Sequence, residues 1–135
     1  IDSYQPDCIV LAGYLKILPE SFVESYENRI INIHPSLIPS FCGKGYYGKK
    51  VHKAALDYGV KITGATTHFV SAIPDAGPII LQDIVHVSAT DSVESLAEKV
   101  LDLEHKLLVE TVRLYCDNQL IIKNRYVDIE ERIQK

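Results

Sequence analysis

Asn32 and His34 are the pair of residues in this sequence best suited to carry out chemistry. They lie two positions apart in the apolar run Ile30–His34. Because strand side chains alternate between faces, both would project from one face at the carboxyl end of a strand, where open α/β sheets bind ligands. An amide and an imidazole in that position could stabilise an oxyanion and move a proton. They could equally be polar strand-end residues that hydrogen-bond a loop, and their spacing alone leaves both interpretations open.

Two carboxylates are candidates to act with that pair. Asp75 lies in the segment Ile73–Pro78, and an Asp beside Gly and Pro is most often a turn residue. A catalytic role requires Asp75 to reach His34, where it would orient the ring and raise its pKa. Glu104 has only apolar neighbours three and four positions away, and burial disfavours an ionised carboxylate. It therefore pairs with another group, reaches water at the edge of the stripe, or contacts a ligand, which is the interpretation we favour.

The segment Gly43–Gly48 matches the pattern Gly-x-Gly-x-x-Gly and precedes a predicted helix. A dinucleotide fingerprint must follow its strand directly, whereas Pro35 and Pro39 separate this segment from the strand that ends at His34. The glycines therefore predict a tight loop rather than a nucleotide site.

The five histidines show no spacing typical of a metal site, so no metal is expected. His68 lies on the predicted strand that leads to Asp75 and could line the same pocket. His52, His86 and His105 have no partner pattern and are predicted to be surface or internally satisfied residues.

Strand and helix patterns alternate along the chain, which predicts a single α/β domain over residues 1–135 with a mostly parallel sheet flanked by helices. The apolar run Cys8–Ala12 is typical of a strand buried on both faces. Asp91 and Glu94 are a possible capping pair for the longest helix. The predicted strands are Cys8–Ala12, Ile30–His34, Lys61–Val70, Ile79–Val87 and a strand-like Gln119–Asp128, and the predicted helices are Pro19–Tyr26, Lys49–Tyr58 with a stop at Gly59, and Asp91–Tyr115.

Composition excludes several classes of partner. The chain is 47% hydrophobic and 24% charged, with a formal net charge of -4 and interspersed signs. Nucleic acids and membrane surfaces select for clustered Lys and Arg, so neither is expected as a partner. The three cysteines, Cys8, Cys42 and Cys116, form no disulfide framework, and no signal peptide or membrane-length apolar run is visible. These features predict a cytoplasmic protein.

Several motifs taken together carry a resemblance to a known family. The segments Asn32–Pro39 and Asp75–Ile80, in this order, resemble the folate-dependent formyltransferase superfamily, and within it the glycinamide ribonucleotide formyltransferases. Leu11–Leu18, Gly64–Val70 and Leu103–His105 are similar to further family segments. The resemblance runs from about Pro6 to Leu120.

The resemblance implies a Rossmann-like formyltransferase fold and transfer of a formyl group from 10-formyltetrahydrofolate to the amine of glycinamide ribonucleotide, in purine biosynthesis. It implies small-molecule partners, no metal, and a monomer or homodimer. Family members begin with further βα units, including a loop that grips the substrate phosphate. Because the chain starts at Ile1 and contains no Met, we expect a fragment or processed chain that holds the folate half of the site and lacks those units.

The resemblance also assigns roles by position. Asn32, His34 and Asp75 match the catalytic trio, and His68 matches a histidine near the site. Lys16 stands where Arg is frequent, and Leu101 where a polar substrate contact is frequent, so the substrate-side details stay open. The positions that match the folate site are Leu15, Lys16, Ile17, Leu18, Asn32, Val70, Ser71, Ala72, Ile73, Pro74 and Asp75, and those that match the substrate site are Pro35, Leu101 and Glu104.

Three alternatives share part of this pattern. Formyltetrahydrofolate hydrolases tend to have His after the catalytic His, where this chain has Pro35, so a transferase is favoured. A methionyl-tRNA formyltransferase would need a basic RNA-binding surface. A non-catalytic folate-binding domain would not need Asn32, His34 and Asp75 together.

Overall fold

Strands and helices follow one another along the chain largely as their sequence patterns predict. The computed structural model describes residues 7–11, 18–73 and 75–130, so the predicted folate contacts Leu15, Lys16, Ile17 and Pro74 lie outside the described residues. The elements are β1 (Ile9–Leu11), α1 (Glu20–Ser25), β2 (Ile30–His34), α2 (Lys49–Tyr58), β3 (Ile62–Phe69), β4 (Ile79–His86), α3 (Val93–Cys116), β5 (Leu120–Lys123) and β6 (Tyr126–Ile129).

The strands form one sheet in the order β1-β2-β3-β4-β6-β5. β1 pairs with β2 and β4 with β6 in parallel, while β3 is antiparallel to both neighbours and β5 is antiparallel to β6. Four of the six strands therefore run in the same direction, and the predicted α/β, Rossmann-like architecture is confirmed. The short connection from Val70 to Pro78 explains the antiparallel pairing of β3 with β4, because a parallel pair needs a longer crossover.

Local sequence signals predicted the ends of some helices and strands correctly and the ends of others wrongly. β2 and α2 have their predicted limits, and Gly59 ends α2 in the left-handed conformation, at φ 85°. The predicted pairing of Asp91 with Glu94 is wrong. Ser92 is the N-cap of α3 and forms a reciprocal capping box with Ser95, while the Asp91 carboxylate accepts hydrogen bonds from the Ser88 amide and from Lys99.

The C-terminal segment Gln119–Asp128, predicted as one strand-like stretch, is a hairpin of β5 and β6. The chain turns at Asn124, which has a φ of 58°. Asn tolerates this left-handed conformation better than most residues. Asn124, which interrupts the strand-like segment, was therefore a turn signal that the sequence prediction missed.

Helix α3 covers one face of the sheet and packs against it through a core cluster of Ile33, Ala65, Leu96, Val100 and Leu107. A buried chain of hydrogen bonds sets its position. The Leu81 amide donates to Thr67 Oγ1 at 3.1 Å, the Thr67 and Thr111 hydroxyls lie 2.8 Å apart, and Thr111 donates to the Leu107 carbonyl at 2.7 Å. Since these bonds tie α3 to β3 and β4, they also fix which side of α3 faces the end of the sheet.

None of the helices within the described ranges is long and apolar enough to cross a membrane.

Candidate active site

The carboxyl end of β2 places Asn32 and His34 side by side at the floor of a cleft. β2 lies between β1 and β3, so its backbone is held by hydrogen bonds on both sides. His34 is 4% exposed and Asn32 is half-buried. Both side chains line the cleft, as their alternation along the strand predicted.

The loop between β3 and β4 brings Asp75 to His34. One carboxylate oxygen, Oδ2, lies 3.5 Å from His34 Nδ1 and accepts a hydrogen bond of 2.9 Å from the Gly43 amide. Asp75 itself is left-handed, at φ 53°. A Cβ on Gly77 would lie 1.6 Å from the Phe69 carbonyl oxygen, so only glycine lets this loop fold back against the end of β3. Asp75 is therefore a turn residue that also reaches the imidazole.

His34 has hydrogen-bond acceptors at both ring nitrogens. Its Nε2 lies 2.9 Å from the Phe41 carbonyl, to which it donates, and its Nδ1 faces Asp75. Burial lowers the pKa of His34 by more than the Phe41 hydrogen bond and the Asp75 charge raise it, and the neighbouring His68 lowers it further. Asp75 thus raises the His34 pKa, as expected, but the net direction is downward, because nearly complete burial penalises the imidazolium more than one partly buried carboxylate favours it. The ring is neutral in the free protein near pH 7.

His68 joins the same network from β3. It is 1% exposed. Its Nδ1 donates to the Phe69 carbonyl at 3.0 Å, which leaves the lone pair of Nε2 to accept from Asn32 Nδ2 at 3.4 Å. The second oxygen of Asp75, Oδ1, lies 3.6 Å from the same His68 nitrogen. His68 therefore orients the Asn32 amide so that its nitrogen, a donor, faces the floor of the cleft.

The Asp75 carboxyl is an anion in this setting. Burial acts to raise its pKa, but the contacts with His68 and the Gly43 amide, together with the charge effect of His34, outweigh burial and hold the pKa below its usual value. An ionised carboxylate beside a neutral imidazole favours proton uptake by that imidazole.

The cleft above this floor has a volume of about 660 Å³, which is the size of a small-molecule site. Ile73, a predicted folate contact, is 68% exposed and does not line it. The described residues predicted for the site that do line it are Leu18, Asn32, His34, Pro35, His68, Val70, Ser71, Ala72, Asp75, Leu101 and Glu104.

Glu104 reaches the cleft from α3. Within the described part of the chain it forms no hydrogen bond or ion pair, and burial raises its pKa to about 7. The sequence left three settings open for Glu104: pairing with another group, reaching water, or contacting a ligand. Its place in the cleft fits contact with a ligand.

His52 contradicts its predicted role as a surface or satisfied histidine. It is 4% exposed on α2, it lines the cleft, and its Nδ1 is buried without a hydrogen-bond partner. The available signal was its place beside Val51 and one helical turn from Ala55, the other buried residues of α2. His86 and His105 are exposed, as predicted.

The Gly43–Gly48 loop is more than a tight turn. Gly43, Gly45 and Gly48 have positive φ values, and the loop forms one wall of the cleft. Its lysines and tyrosines were not predicted to belong to the site. Within the described ranges, no three His, Cys, Asp or Glu side chains lie close enough together to hold a metal ion.

Comparison with known proteins adds an independent finding. Residues 1–112 match the family model described as formyl transferase. The chain is 47% identical over 118 residues to a chloroplastic phosphoribosylglycinamide formyltransferase of Vigna unguiculata, covering 87% of this chain and 38% of the relative. It is 40% identical over 130 residues to a formyltetrahydrofolate deformylase of Escherichia coli K12, covering 90% of this chain and 45% of the relative.

A solved structure agrees with these sequence matches. Glycinamide ribonucleotide transformylase 1 from Symbiobacterium toebii superposes with a TM-score of 0.89 at 41% identity, over 96% of this chain and 59% of that protein. The chain spans less than half the length of the two curated relatives named above.

Proposed function

The chain belongs to the formyl transferase family, and on that premise we propose that it forms the folate-binding, catalytic part of an enzyme that transfers the formyl group of 10-formyltetrahydrofolate to the amine of glycinamide ribonucleotide. The observation that carries the proposal is the convergence of Asn32, His34 and Asp75 at the floor of one cleft. In formyl transfer between two nitrogens, an amide donor and an imidazole can stabilise the oxyanion, and an ionised carboxylate can support positive charge on the imidazole.

The first step forms a bond between the acceptor nitrogen and the formyl carbon, and the formyl oxygen becomes an oxyanion. Asn32 Nδ2, held by His68, donates to that oxygen. His34 Nε2–H, which donates to the Phe41 carbonyl in the free protein, moves its hydrogen bond to the oxyanion, since a charged oxygen is the stronger acceptor. Preorganised donors of this kind each contribute about 3 to 4 kcal/mol to the barrier reduction.

The second step breaks the bond between the formyl carbon and the folate nitrogen. One proton leaves the acceptor amine and one proton reaches the departing nitrogen, so the protein ends as it began. Because His34 Nε2 already carries a proton and Nδ1 faces Asp75, a bound water relays this proton between the two substrate nitrogens, and Asp75 stabilises the positive charge that His34 develops as it donates to the oxyanion. Such proton transfer contributes about 10²- to 10⁴-fold to the rate.

The two substrates would enter from different sides. Val70, Ser71 and Ala72, beside Asp75, form the side assigned to the folate, together with Leu18, which also lines the cleft. Pro35, Leu101 and Glu104 form the side assigned to the acceptor. Glu104 would accept hydrogen bonds from the acceptor's hydroxyl or amino groups, which would give a function to a carboxyl that has no partner among the described residues. A cytoplasmic location and a monomeric or homodimeric state stay predictions.

A second function, hydrolysis of formyltetrahydrofolate, has specific support from the similarity to formyltetrahydrofolate deformylases. The same three catalytic groups could activate water in place of an amine. Pro35 after His34 favours the transferase, as does Glu104 on the acceptor side, which no other described residue pairs with.

The test uses the protein as expressed from its native gene, with 10-formyltetrahydrofolate labelled in the formyl carbon. Formylated ribonucleotide formed only when glycinamide ribonucleotide is present would support the transferase. Release of labelled formate at the same rate with and without the acceptor would overturn it in favour of hydrolysis. Tight folate binding with neither product would indicate a binding domain.

A further inference from the structure

The ring of His34 lies between two hydrogen-bond acceptors that compete for one proton. Its Nε2 lies 2.9 Å from the Phe41 carbonyl oxygen, and its Nδ1 lies 3.5 Å from Asp75 Oδ2. A neutral imidazole carries a proton on only one of its nitrogens, and the hydrogen bonds of the ring decide which nitrogen that is. The Phe41 carbonyl therefore has to stay in place if the proton is to stay on Nε2.

The position of this proton decides whether His34 can stabilise an oxyanion. With the proton on Nε2, the ring donates a hydrogen bond to the negative oxygen. With the proton on Nδ1, Nε2 presents a lone pair that repels the same oxygen. Asp75 favours the second arrangement, because a carboxylate is a stronger acceptor than a peptide carbonyl. The first arrangement therefore depends on a Phe41 carbonyl that is held close to Nε2.

Phe41 presents its carbonyl to His34 from a strained backbone. Its φ is 49°, which lies in the left-handed region, and this region costs an L-residue other than glycine about 1 to 2 kcal/mol. A bulky residue is rarely found there. Strain of this kind persists only where surrounding contacts hold it, and it is concentrated at functional sites. The contacts that hold Phe41 in this conformation therefore bear directly on His34.

The hydroxyl of Ser36 contacts this strained backbone from inside the protein. Ser36 is fully buried. Its hydroxyl donates to the Ser40 carbonyl at 2.5 Å and lies 3.4 Å from the Phe41 carbonyl oxygen. Because the Ser40 carbonyl belongs to the peptide group that joins Ser40 to Phe41, the shorter bond fixes the orientation of that peptide. The longer contact lies at the oxygen that accepts from His34.

Ser36 is a firmer anchor for Phe41 than the aromatic contacts of its ring. The buried Thr66 hydroxyl on β3 donates to the Ser36 carbonyl at 2.7 Å, so Ser36 is itself fixed to the sheet. The Phe41 ring lies 6.3 Å from the ring of Tyr46 and 6.1 Å from that of Tyr58, centroid to centroid. Those two side chains are 40% and 82% exposed, so they restrain Phe41 less.

We propose that Ser36 is a positioning residue whose hydroxyl keeps the Phe41 carbonyl directed at His34 and so keeps the His34 proton on Nε2. Ser36 does not line the cleft, so it acts through Phe41 and not by touching a substrate. Its effect on the reaction rate rests on the proposed function. Its effect on the His34 proton is a property of the free protein and depends on no reaction.

The first test compares the kinetics of Ser36→Ala and Ser92→Ala, both made in the protein as expressed from its native gene. Ser92→Ala is the matched control, because it also removes a hydrogen-bonded serine hydroxyl, at the N-cap of α3 and outside the cleft. We expect kcat to fall about tenfold in Ser36→Ala and to stay within about twofold in Ser92→Ala, because a small displacement of an aligned group lowers the rate. Both KM values should stay within about twofold of the wild type in each variant.

A second variant separates positioning from a general loss of stability. Ser36→Cys keeps a weak donor at the same atom position, so its kcat should lie between those of the wild type and Ser36→Ala. Thermal melting of all variants shows how much stability each has lost. A kcat of Ser36→Ala equal to that of Ser92→Ala, in a protein with demonstrated formyl transfer, would overturn the positioning role.

Nitrogen NMR of the His34 ring tests the inference without any substrate. Histidine labelled with nitrogen-15 is observed at about pH 8, where the ring is neutral because its pKa is lowered, and His34→Gln identifies the His34 signals by their loss. The wild type and Ser92→Ala should show a protonated Nε2, and Ser36→Ala should show the proton moved in part to Nδ1. That shift would support the inference even if no formyl transfer occurred. An unchanged proton position in Ser36→Ala would overturn it even if the transfer were demonstrated.

Discussion

The two sides of the cleft differ in how far their polar groups are satisfied. The strand wall, formed by Asn32, His34, His68 and Asp75, is a closed network in which every one of these side chains has a polar partner. The helix wall, formed by the cleft faces of α2 and α3, carries His52, whose buried Nδ1 has no partner within the described ranges, and Glu104, whose pKa burial raises to about 7.

This difference indicates a division of labour. Groups that stabilise a transition state act best when they are already oriented, because no reorganisation is then needed during the reaction. A group that recognises a substrate, as Glu104 is proposed to do, can be without a partner until the substrate binds and supplies one. Leaving the buried His52 nitrogen without a partner costs the protein about 1 to 3 kcal/mol, so the helix wall is the less stable of the two.

The strongest test of the strand wall is Asp75→Asn. We expect kcat to fall about 10³-fold, because the imidazolium of His34 loses its stabilising charge. The fold should be kept, since Asn tolerates the left-handed backbone of this position and retains an oxygen for the Gly43 amide. Single-turnover rates and thermal melting would be measured together. A near-normal rate would remove Asp75 from the mechanism.

The next effect should come from Asn32→Leu. Removing one oxyanion donor should lower kcat about 10²-fold, while the dissociation constant of the folate changes little. The variant also leaves His68 Nε2 without its donor, so melting is the control for structural damage. If the variant mainly weakened folate binding and left kcat unchanged, Asn32 would bind the folate rather than stabilise the transition state. The strand wall would then differ less from the helix wall in its role.

On the helix wall, Glu104→Gln should raise the KM of the ribonucleotide about tenfold and change kcat less, because an ionised hydrogen-bond acceptor becomes neutral. Glu98→Gln is the matched control, since Glu98 is exposed on the same helix. Steady-state kinetics at pH 8, where the carboxylate is ionised, would show the effect most clearly. A fall in kcat without a change in KM would place Glu104 among the catalytic groups instead.

The smallest effect concerns stability. The pKa of Glu104 is raised from 4.5 to about 7, so between these values the folded state binds a proton that the unfolded state has released. Stability attributable to Glu104 is therefore present below pH 4.5 and is lost as the pH rises to about 7. Relative to Glu104→Gln, the wild-type protein should lose about 1 to 2 kcal/mol over this window, a value reduced for partial exposure. Urea unfolding at pH 4.5, 6 and 8 would measure it.

The difference in stability between the wild-type protein and Glu104→Gln separates the effect of Glu104 from the effects of other titrating groups. The lowered pKa values of His34 and His52 act in the opposite direction, because the unfolded state then binds more protons as the pH falls below about 6.5. Both proteins share those histidines, so their effect cancels. A pH-independent difference would mean that the Glu104 carboxyl is fully hydrated in the free protein.

Sequence patterns predicted most of the strand wall because its residues are set by local rules. Alternation along β2 placed Asn32 and His34 on one face, and Gly and Pro residues predicted the turn that carries Asp75. The limits of α2 followed from Gly48 and Gly59. The position of β3 between β2 and β4 was not predicted, since it depends on which strands meet across the sheet.

The helix wall was predicted less well because its properties arise from packing. The burial of His52 depends on how α2 meets α3. On the strand wall, the lowered pKa of His34 was missed for a similar reason, because it depends on how completely the site excludes water. Glu104 was the exception, because a carboxylate in an apolar stripe is visible in the sequence. The capping box at Ser92 and the turn at Asn124 were local signals that were misread rather than absent.

The backbone of Asp75 has a consequence for how this protein can change in evolution. Its left-handed conformation favours Gly, Asn and Asp at this position, and the codons of Asp and Asn differ by one transition. The substitution that the fold accepts most readily is thus the one that removes the charge beside His34. One nucleotide substitution, which changes Asp75 to Asn, is thus enough to give a protein that keeps the fold and the cleft but loses activity. Inactive relatives with an intact fold should therefore arise repeatedly by this route.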